Sequence, residues 1–296
     1  MRSLLFVPGD DARKLGKALE SGADALILDL EDSVAPAAKA AARETTAQFL
    51  AQAPRGPLLF VRVNALDTGL TDADLDAVLP GRPHGVVLPK PVSGADVQRL
   101  DAKISAREAL FDIADGVTRI LIIATETARS LFHMGSYMGA SSRLDGLAWG
   151  GEDLSADIGA PTNRLPDGSY AEPYRLARTL TLLAAAAAEA QAIDAVFTNF
   201  RDLDGLRREA ELALRDGFTA KMAIHPAQVA VINEAFTPTP DAVRRAEAIV
   251  AAFERHPDAG VVGLDGEMLD KPHLRQAQRL LDRARRAGVT RSAERN

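Results

Sequence analysis

Short apolar runs rich in Val, Ile and Leu recur along the 296-residue chain, each stopping at a polar or Gly/Pro cluster and followed by a stretch of helix-forming composition. Runs that are apolar throughout, rather than alternating, predict strands buried on both faces, as in a parallel sheet. Eight are expected, at residues 4–7, 25–28, 58–61, 85–88, 120–124, 146–149, 195–198 and 220–224. Helices are expected at 12–21, 36–52, 71–79, 94–111, 173–191, 203–216 and 228–236, with Thr71 and Ser93 as caps and the alanine run 184–188 packed closely on the sheet. Eight strand-helix units predict an α/β fold closed into a (β/α)8 barrel over residues 1–237.

Residues 238–296 lie beyond what closure requires. They read as a helix at 241–255, a Gly-rich strand-like piece at 260–270, a basic helix at 271–287 and a frayed end at 291–296. This C-terminal helical extension is expected to act as a lid or to reach a neighbouring subunit.

Composition narrows the chemistry. With 47% hydrophobic and 26% charged residues, the chain has the profile of an ordinary globular protein. A net charge of -6 leaves no footprint for nucleic acid, and no uninterrupted apolar span is long enough for a bilayer, so no membrane role and a cytoplasmic location are expected. The absence of cysteine excludes disulfides, zinc–thiolate sites and thiol catalysis, so any metal must take oxygen or imidazole ligands. There is no phosphate-loop or dinucleotide fingerprint and no serine nucleophile elbow, and His84 and His133 show no ligand spacing.

In a βα barrel the C-terminal strand ends converge on one face, where catalytic residues gather. That face is expected to carry Asp29, Glu31, Asp32, Arg62, Asn64, Lys90, Glu126, Asp153 and His225. Glu126 and Asp153 end adjacent runs; they read either as helix caps or as a carboxylate pair for Mg²⁺, with water and substrate oxygens completing the octahedron. Arg62 follows a buried run and needs an anion, supplied either by a ligand or by Asp29, Glu31 or Asp32. Those three acids read either as outer groups orienting metal-bound water and Arg62 or as a helix-start cluster. Lys90 is either a ligand contact or a solvated loop residue, and His225, with Lys221 before it, either meets a phosphate at the mouth or is structural.

The motifs Ser3-Leu-Leu-Phe-Val-Pro-Gly9, Asp24-Ala-Leu-Ile-Leu-Asp-Leu-Glu-Asp32, Lys39 with Ala42-Arg43, Arg62-Val-Asn64, Leu88-Pro-Lys90, Glu126-Thr-Ala128, Ile224-His-Pro-Ala-Gln228 and Gly266-Glu-Met-Leu-Asp270 occur in that order. In this the chain resembles the citrate lyase β-subunit-like proteins of the HpcH/HpaI aldolase superfamily over nearly its whole length. The resemblance implies a TIM barrel, Mg²⁺ on Glu126 and Asp153, and Arg62 at the carboxylate or oxo group of the substrate. In malyl-CoA and citramalyl-CoA lyase-like members the acid matching Asp270 is presented to a neighbouring protomer's site, which implies a homo-oligomer, a trimer or hexamer. Asp10-Asp-Ala-Arg13, Ala124-Thr125 and Arg129-Ser130 depart from the family pattern around the site and bear on substrate identity.

The activity so implied is a Mg²⁺-dependent carbon–carbon lyase that cleaves or forms a 3-hydroxy-3-carboxyacyl-CoA thioester, with Asp270 handling the proton of the enolate. Alternatives are a metal-dependent aldolase on free 2-oxo acids, an acyl-CoA thioesterase, a citrate lyase subunit acting on a carrier-protein thioester, and a non-catalytic acyl-CoA-binding barrel.

Overall fold

Eight of the apolar segments pair edge to edge, all parallel, and close on themselves in sequence order. A computed structural model describes residues 1–54 and 56–289. The barrel strands are β1 (Ser3–Pro8), β2 (Ala25–Asp29), β3 (Leu58–Arg62), β4 (Gly85–Leu88), β5 (Arg119–Ile123), β6 (Leu144–Ala148), β7 (Gln191–Asp194) and β8 (Ala220–Ala223). Closure comes from β8 against β1, with Ser3 opposite Lys221. The register sets Asp29 beside Arg62 and Asp194 beside Lys221.

Around the strands run α1 (Ala12–Ala18), α2 (Lys39–Gln52), α3 (Thr71–Val78), α4 (Gly94–Leu110), α5 (Ala128–Leu131), α6 (Gly151–Asp157), α7 (Glu172–Ala187), α8 (Leu203–Asp216) and α9 (Pro226–Phe236). Leu26, Leu28, Phe60, Val61, Val86, Leu88, Ile120, Ile122 and Leu147 are fully buried, as strands covered on both faces require. Gly85 opens β4 because a Cβ there would lie 2.4 Å from the carbonyl oxygen of Arg119.

At the N-terminal end of β6, Arg143 is buried and its charge is matched. It meets Glu108 at 2.6 Å, Asp101 at 2.6 Å and Asp115 at 2.6 Å, pinning α4 to the β5–β6 edge. Such a network serves stability at the end of a barrel that carries no chemistry.

One strand differs from the pattern reading. The seventh occupies Gln191–Asp194, four residues before the expected 195–198, and α7 stops at Ala187 rather than 191. Glu189 takes a left-handed φ of 54° and breaks the helix early. Asp194 reads as a strand break, yet it is buried inside the strand because Lys221 and Arg178 neutralise it. The caps also differ. Ser93 holds the N-cap position without a side-chain bond to its helix, and Thr71 lies inside α3, donating to the Asn64 carbonyl.

The chain divides into two compact units, Arg2–Ala235 and, with Met1, Phe236–Asn296. The second contains α10 (Pro240–Arg255), an antiparallel hairpin of β9 (Val261–Leu264) and β10 (Glu267–Asp270), and α11 (Lys271–Arg286). Asp265 and Gly266 make the hairpin turn with φ of 51° and 82°. Ala246, Ile249, Ala252, Phe253, Val262, Leu269 and Ala277 form this unit's own core. The stretch 291–296, expected to be frayed, lies outside the described residues. Among the described residues, no helix is long and apolar enough to cross a membrane.

Candidate active site

The C-terminal ends of β2 to β6 bring charged groups of both signs together, beginning with a fork. Arg62, the last residue of β3, donates from Nε to Asp29 Oδ1 at 2.6 Å and from Nη2 to Asp29 Oδ2 at 2.7 Å. Asp29 also accepts the backbone N–H groups of Glu31 and Ser33, so the fork fixes the turn after β2. Lys39 locks the same turn, donating to the carbonyls of Leu30 and Glu31 at 2.7 Å each. Burial works against the Asp29 anion, but the hydrogen bonds and charge of Arg62 outweigh it and hold the carboxyl below its usual range.

Arg62 reaches further with Nη1, which lies 2.9 Å from Glu31 and 3.8 Å from Asp32. Lys90 adds a second cation. Its ammonium pairs with Glu31, lies 3.1 Å from Asp32 and 3.5 Å from Asp153. Lys90 stands between Pro89 and Pro91 with φ of 53°, a strained setting for a side-chain-bearing residue. That backbone turn aims its N–H at Glu126, which accepts it.

Glu126 follows β5 and is only 3% exposed. Burial, reinforced by the facing charge of Asp153, pushes its carboxyl up to about 8. Asp153 sits in the first turn of α6, half-exposed, where the helix N-terminus favours an acid. The two turns are tied together: Ala124 donates its N–H to Ala148 O at 2.8 Å, and Gly150 donates to Thr125 Oγ1 at 3.2 Å. A Cβ on Gly150 would lie 2.8 Å from Glu126 Cγ, so only glycine permits this approach.

The cluster therefore holds five carboxylates, Asp29, Glu31, Asp32, Glu126 and Asp153, against the two cations Arg62 and Lys90. Arg62 is committed to the acids after β2, and Lys90, though 3.5 Å from Asp153, is shared with Glu31 and Asp32, which leaves Glu126 and Asp153 short of positive charge. Two carboxylates with an excess of negative charge fit Mg²⁺, which keeps several waters and takes few protein ligands. Among the described residues no group of three or more His, Cys, Asp or Glu side chains is placed to hold a metal ion together. Beside Lys90 opens a cavity of about 370 Å³, lined also by Leu66, Pro91, Val92 and Arg129, a size suited to a small ligand.

Seven expected residues, Asp29, Glu31, Asp32, Arg62, Lys90, Glu126 and Asp153, thus meet at one strand edge. Asn64 stands apart from them, its amide and backbone N–H both bonded to the buried Asp74 at 2.7 Å. His225 is exposed and stacks on Phe200 at 4.8 Å, and its Nδ1 accepts from Ala227 N–H. Lys221, expected at the mouth, is instead completely buried between Asp194 and Glu209, where a strand-interior ammonium finds its counter-charges. Asp270 belongs to the second unit, where it caps α11 and pairs with His273 at 2.6 Å. The pattern reading missed Asp194 and its pairing with Lys221; a lone acid within an apolar run was the available signal.

A family model for HpcH/HpaI aldolase/citrate lyase matches residues 2–226, and one for C–C bond lyases of the TIM-barrel fold matches 174–289. The chain is 36% identical to mitochondrial citramalyl-CoA lyase of Rattus norvegicus, over 95% of this chain and 85% of that one. It is 34% identical to citrate lyase subunit beta of Leuconostoc mesenteroides subsp. cremoris, over 95% and 92%. Among solved structures, CitE of Mycobacterium tuberculosis with magnesium, acetoacetate and coenzyme A superposes with a TM-score of 0.76 at 33% identity, covering 96% of this chain and 97% of that one.

The raised carboxyl of Glu126 has a consequence for the metal-free protein. The folded state holds this proton more tightly than the unfolded state between 4.5 and about 8, so the group's stabilising contribution is full below 4.5 and is lost as pH rises through about 8. In urea unfolding without divalent cations, the stability of wild type relative to Glu126→Gln should fall between about pH 5 and about pH 9. A difference that stays constant across that range would contradict the assignment.

Proposed function

The chain belongs to the HpcH/HpaI aldolase/citrate lyase family, and on that premise we propose that it is a Mg²⁺-dependent carbon–carbon lyase acting on a 3-hydroxy-3-carboxyacyl-CoA thioester such as malyl-CoA, citramalyl-CoA or a citryl thioester. The observation that carries the reading is the buried Glu126 carboxyl opposite Asp153, with Arg62 engaged by Asp29 and Glu31 and Lys90 shared between Glu31, Asp32 and Asp153.

Glu126 and Asp153 would hold Mg²⁺, and Arg62 would draw the substrate carboxylate to the same end of the barrel. When bound, the cation supplies Lewis-acid stabilisation of the negative charge that builds on the oxo-acid fragment. In the cleavage direction the substrate hydroxyl gives its proton to solvent water, its oxygen forms the oxo group as the carbon–carbon bond breaks, and the electron pair of that bond passes into a thioester enolate. That enolate needs a proton at carbon, and Asp270 of a neighbouring chain is the group assigned to deliver it, or to remove it in condensation. Asp29 keeps Arg62 rigid throughout, and Lys39 keeps the acid-bearing turn in place. A shared site requires a closed homo-oligomer, a trimer or hexamer, and we place the protein in the cytoplasm. Lys90 and His225 are proposed as further contacts for the anionic parts of the substrate.

The reading is tested with a panel of malyl-, citramalyl- and citryl-CoA, Mg²⁺ and product analysis by mass. A 2-oxo acid and an acyl-CoA are expected, and Glu126→Gln should slow their release by about three orders of magnitude, the several kcal/mol that a Lewis acid supplies. A hydroxy acid with free CoA would instead identify a thioesterase. The shared site has its own test. Glu126→Gln and Asp270→Asn chains, each inactive alone, should recover about a quarter of the wild-type rate when unfolded and refolded together, since random assembly of a cyclic oligomer completes that share of sites. No recovery would place Glu126 and Asp270 in a site formed within one chain.

A further inference from the structure

Behind the turn that carries Asp153 lies a layer of buried charge for which the proposed chemistry has no use. Asp194, 1% exposed, accepts at Oδ2 from Lys221 Nζ at 2.7 Å and at Oδ1 from Arg178 Nε at 3.3 Å. The same Oδ1 accepts the indole N–H of Trp149 at 2.7 Å. Lys221 continues the chain of charges to Glu209 at 2.8 Å, and Glu209 pairs with Arg164 at 2.8 Å.

Trp149 is fully buried and directly precedes Gly150-Gly151, the turn that opens α6. A Cβ on Gly151 would stand 3.1 Å from indole Cζ3, while one on Gly150 would stand 2.8 Å from Glu126 Cγ. The turn is thus confined between the indole on one side and a metal-site carboxylate on the other, two residues ahead of Asp153. The indole is gripped from outside as well. Tyr170 meets it edge-on at 4.9 Å, Arg164 lies over Tyr170 at 3.9 Å, and Asn163 donates to Glu152 at 2.8 Å.

A hydrogen bond to an ionised acceptor is shorter, stronger and more directional than one between neutral groups. A bond of that kind from the ring nitrogen fixes the rotation of the indole, whose Cζ3 edge lies so near the Gly151 backbone that a Cβ there would stand 3.1 Å away. We infer that Asp194 is a positioning residue for Asp153: its carboxylate orients the Trp149 indole, and the indole sets the Gly150-Gly151 turn at which Asp153 faces Glu126. The inference rests on the reading of Glu126 and Asp153 as the metal pair.

Mn²⁺ binding, followed by the electron paramagnetic resonance signal of the free ion, separates the two claims. Trp149→Phe keeps the ring and removes the N–H, and it should raise the Mn²⁺ dissociation constant by about tenfold, the low end for loss of an outer hydrogen bond at a metal site. Arg143→Lys, which disturbs a buried charge network at the opposite end of β6, should bind as wild type does. A folded Trp149→Phe protein with an unchanged dissociation constant overturns the positioning role. Undiminished binding in Asp153→Asn overturns the metal assignment itself. Trp149 is also the only tryptophan in the chain, so the wild-type protein reports independently of whether the variant folds. Mg²⁺ should shift its emission, saturating over the concentration range in which Mg²⁺ displaces Mn²⁺, and should leave Asp153→Asn unshifted. Wild-type emission indifferent to bound Mg²⁺ would overturn the inference.

Discussion

A carboxyl buried with no side-chain cation of its own, and driven by that burial to hold its proton, is the constraint on which the site depends. Glu126 is taken out of water and set against Asp153, while Arg62 pairs with the acids after β2 and Lys90 is divided between those acids and Asp153. Burying an anion is costly unless it is paired, protonated or coordinated to a metal. The closed sheet makes the arrangement possible, because β5 and β6 are hydrogen-bonded neighbours and their C-terminal turns are tied through Thr125 and Gly150. An excess of acidic groups is thus built into one end of the barrel, where the proposal places a divalent cation.

The opposite ends of the same strands handle charge differently. Around Arg143 every partner is in place, and the network closes on itself. Asp194, Lys221, Arg178 and Glu209 are likewise matched within the wall of the barrel. Arg62 combines both behaviours: its fork with Asp29 is a completed structural pair, whereas Glu31, Asp32 and Lys90 extend it toward the uncompensated pair. Where buried charge is complete it holds the fold, and where it is incomplete a ligand is called for.

Apolar periodicity was sufficient to locate most strands, because a strand covered on both faces leaves an unbroken run and a strand-end acid stands out against it. Glu126 and Asp153 were legible for that reason, and so was the gathering of Asp29, Arg62 and Lys90 on one face. The seventh strand was not. Asp194 interrupts its run, and only the pairing with Lys221, 27 residues later in the chain, turns a polar break into a strand interior. The same pairing removed Lys221 from the mouth of the barrel. Long-range charge matching leaves no local trace, and neither does the left-handed turn at Lys90 that directs a backbone N–H to Glu126. Ser93 takes the expected N-cap position but without a side-chain bond, and Thr71 falls inside its helix, because residue type alone does not say which backbone group is left free.

The second unit has a core of its own, and in this chain Asp270 is exposed and bonded to His273. The role proposed for it depends on assembly, whereas Glu126 and Asp153, the proposed metal pair, both lie within Arg2–Ala235. The central claim is therefore best tested at that pair, by anomalous diffraction from crystals grown with Mn²⁺. The account predicts one dominant peak within bonding distance of carboxylate oxygens of both Glu126 and Asp153. A peak that bonds to neither residue, or none at full Mn²⁺ loading, would contradict it.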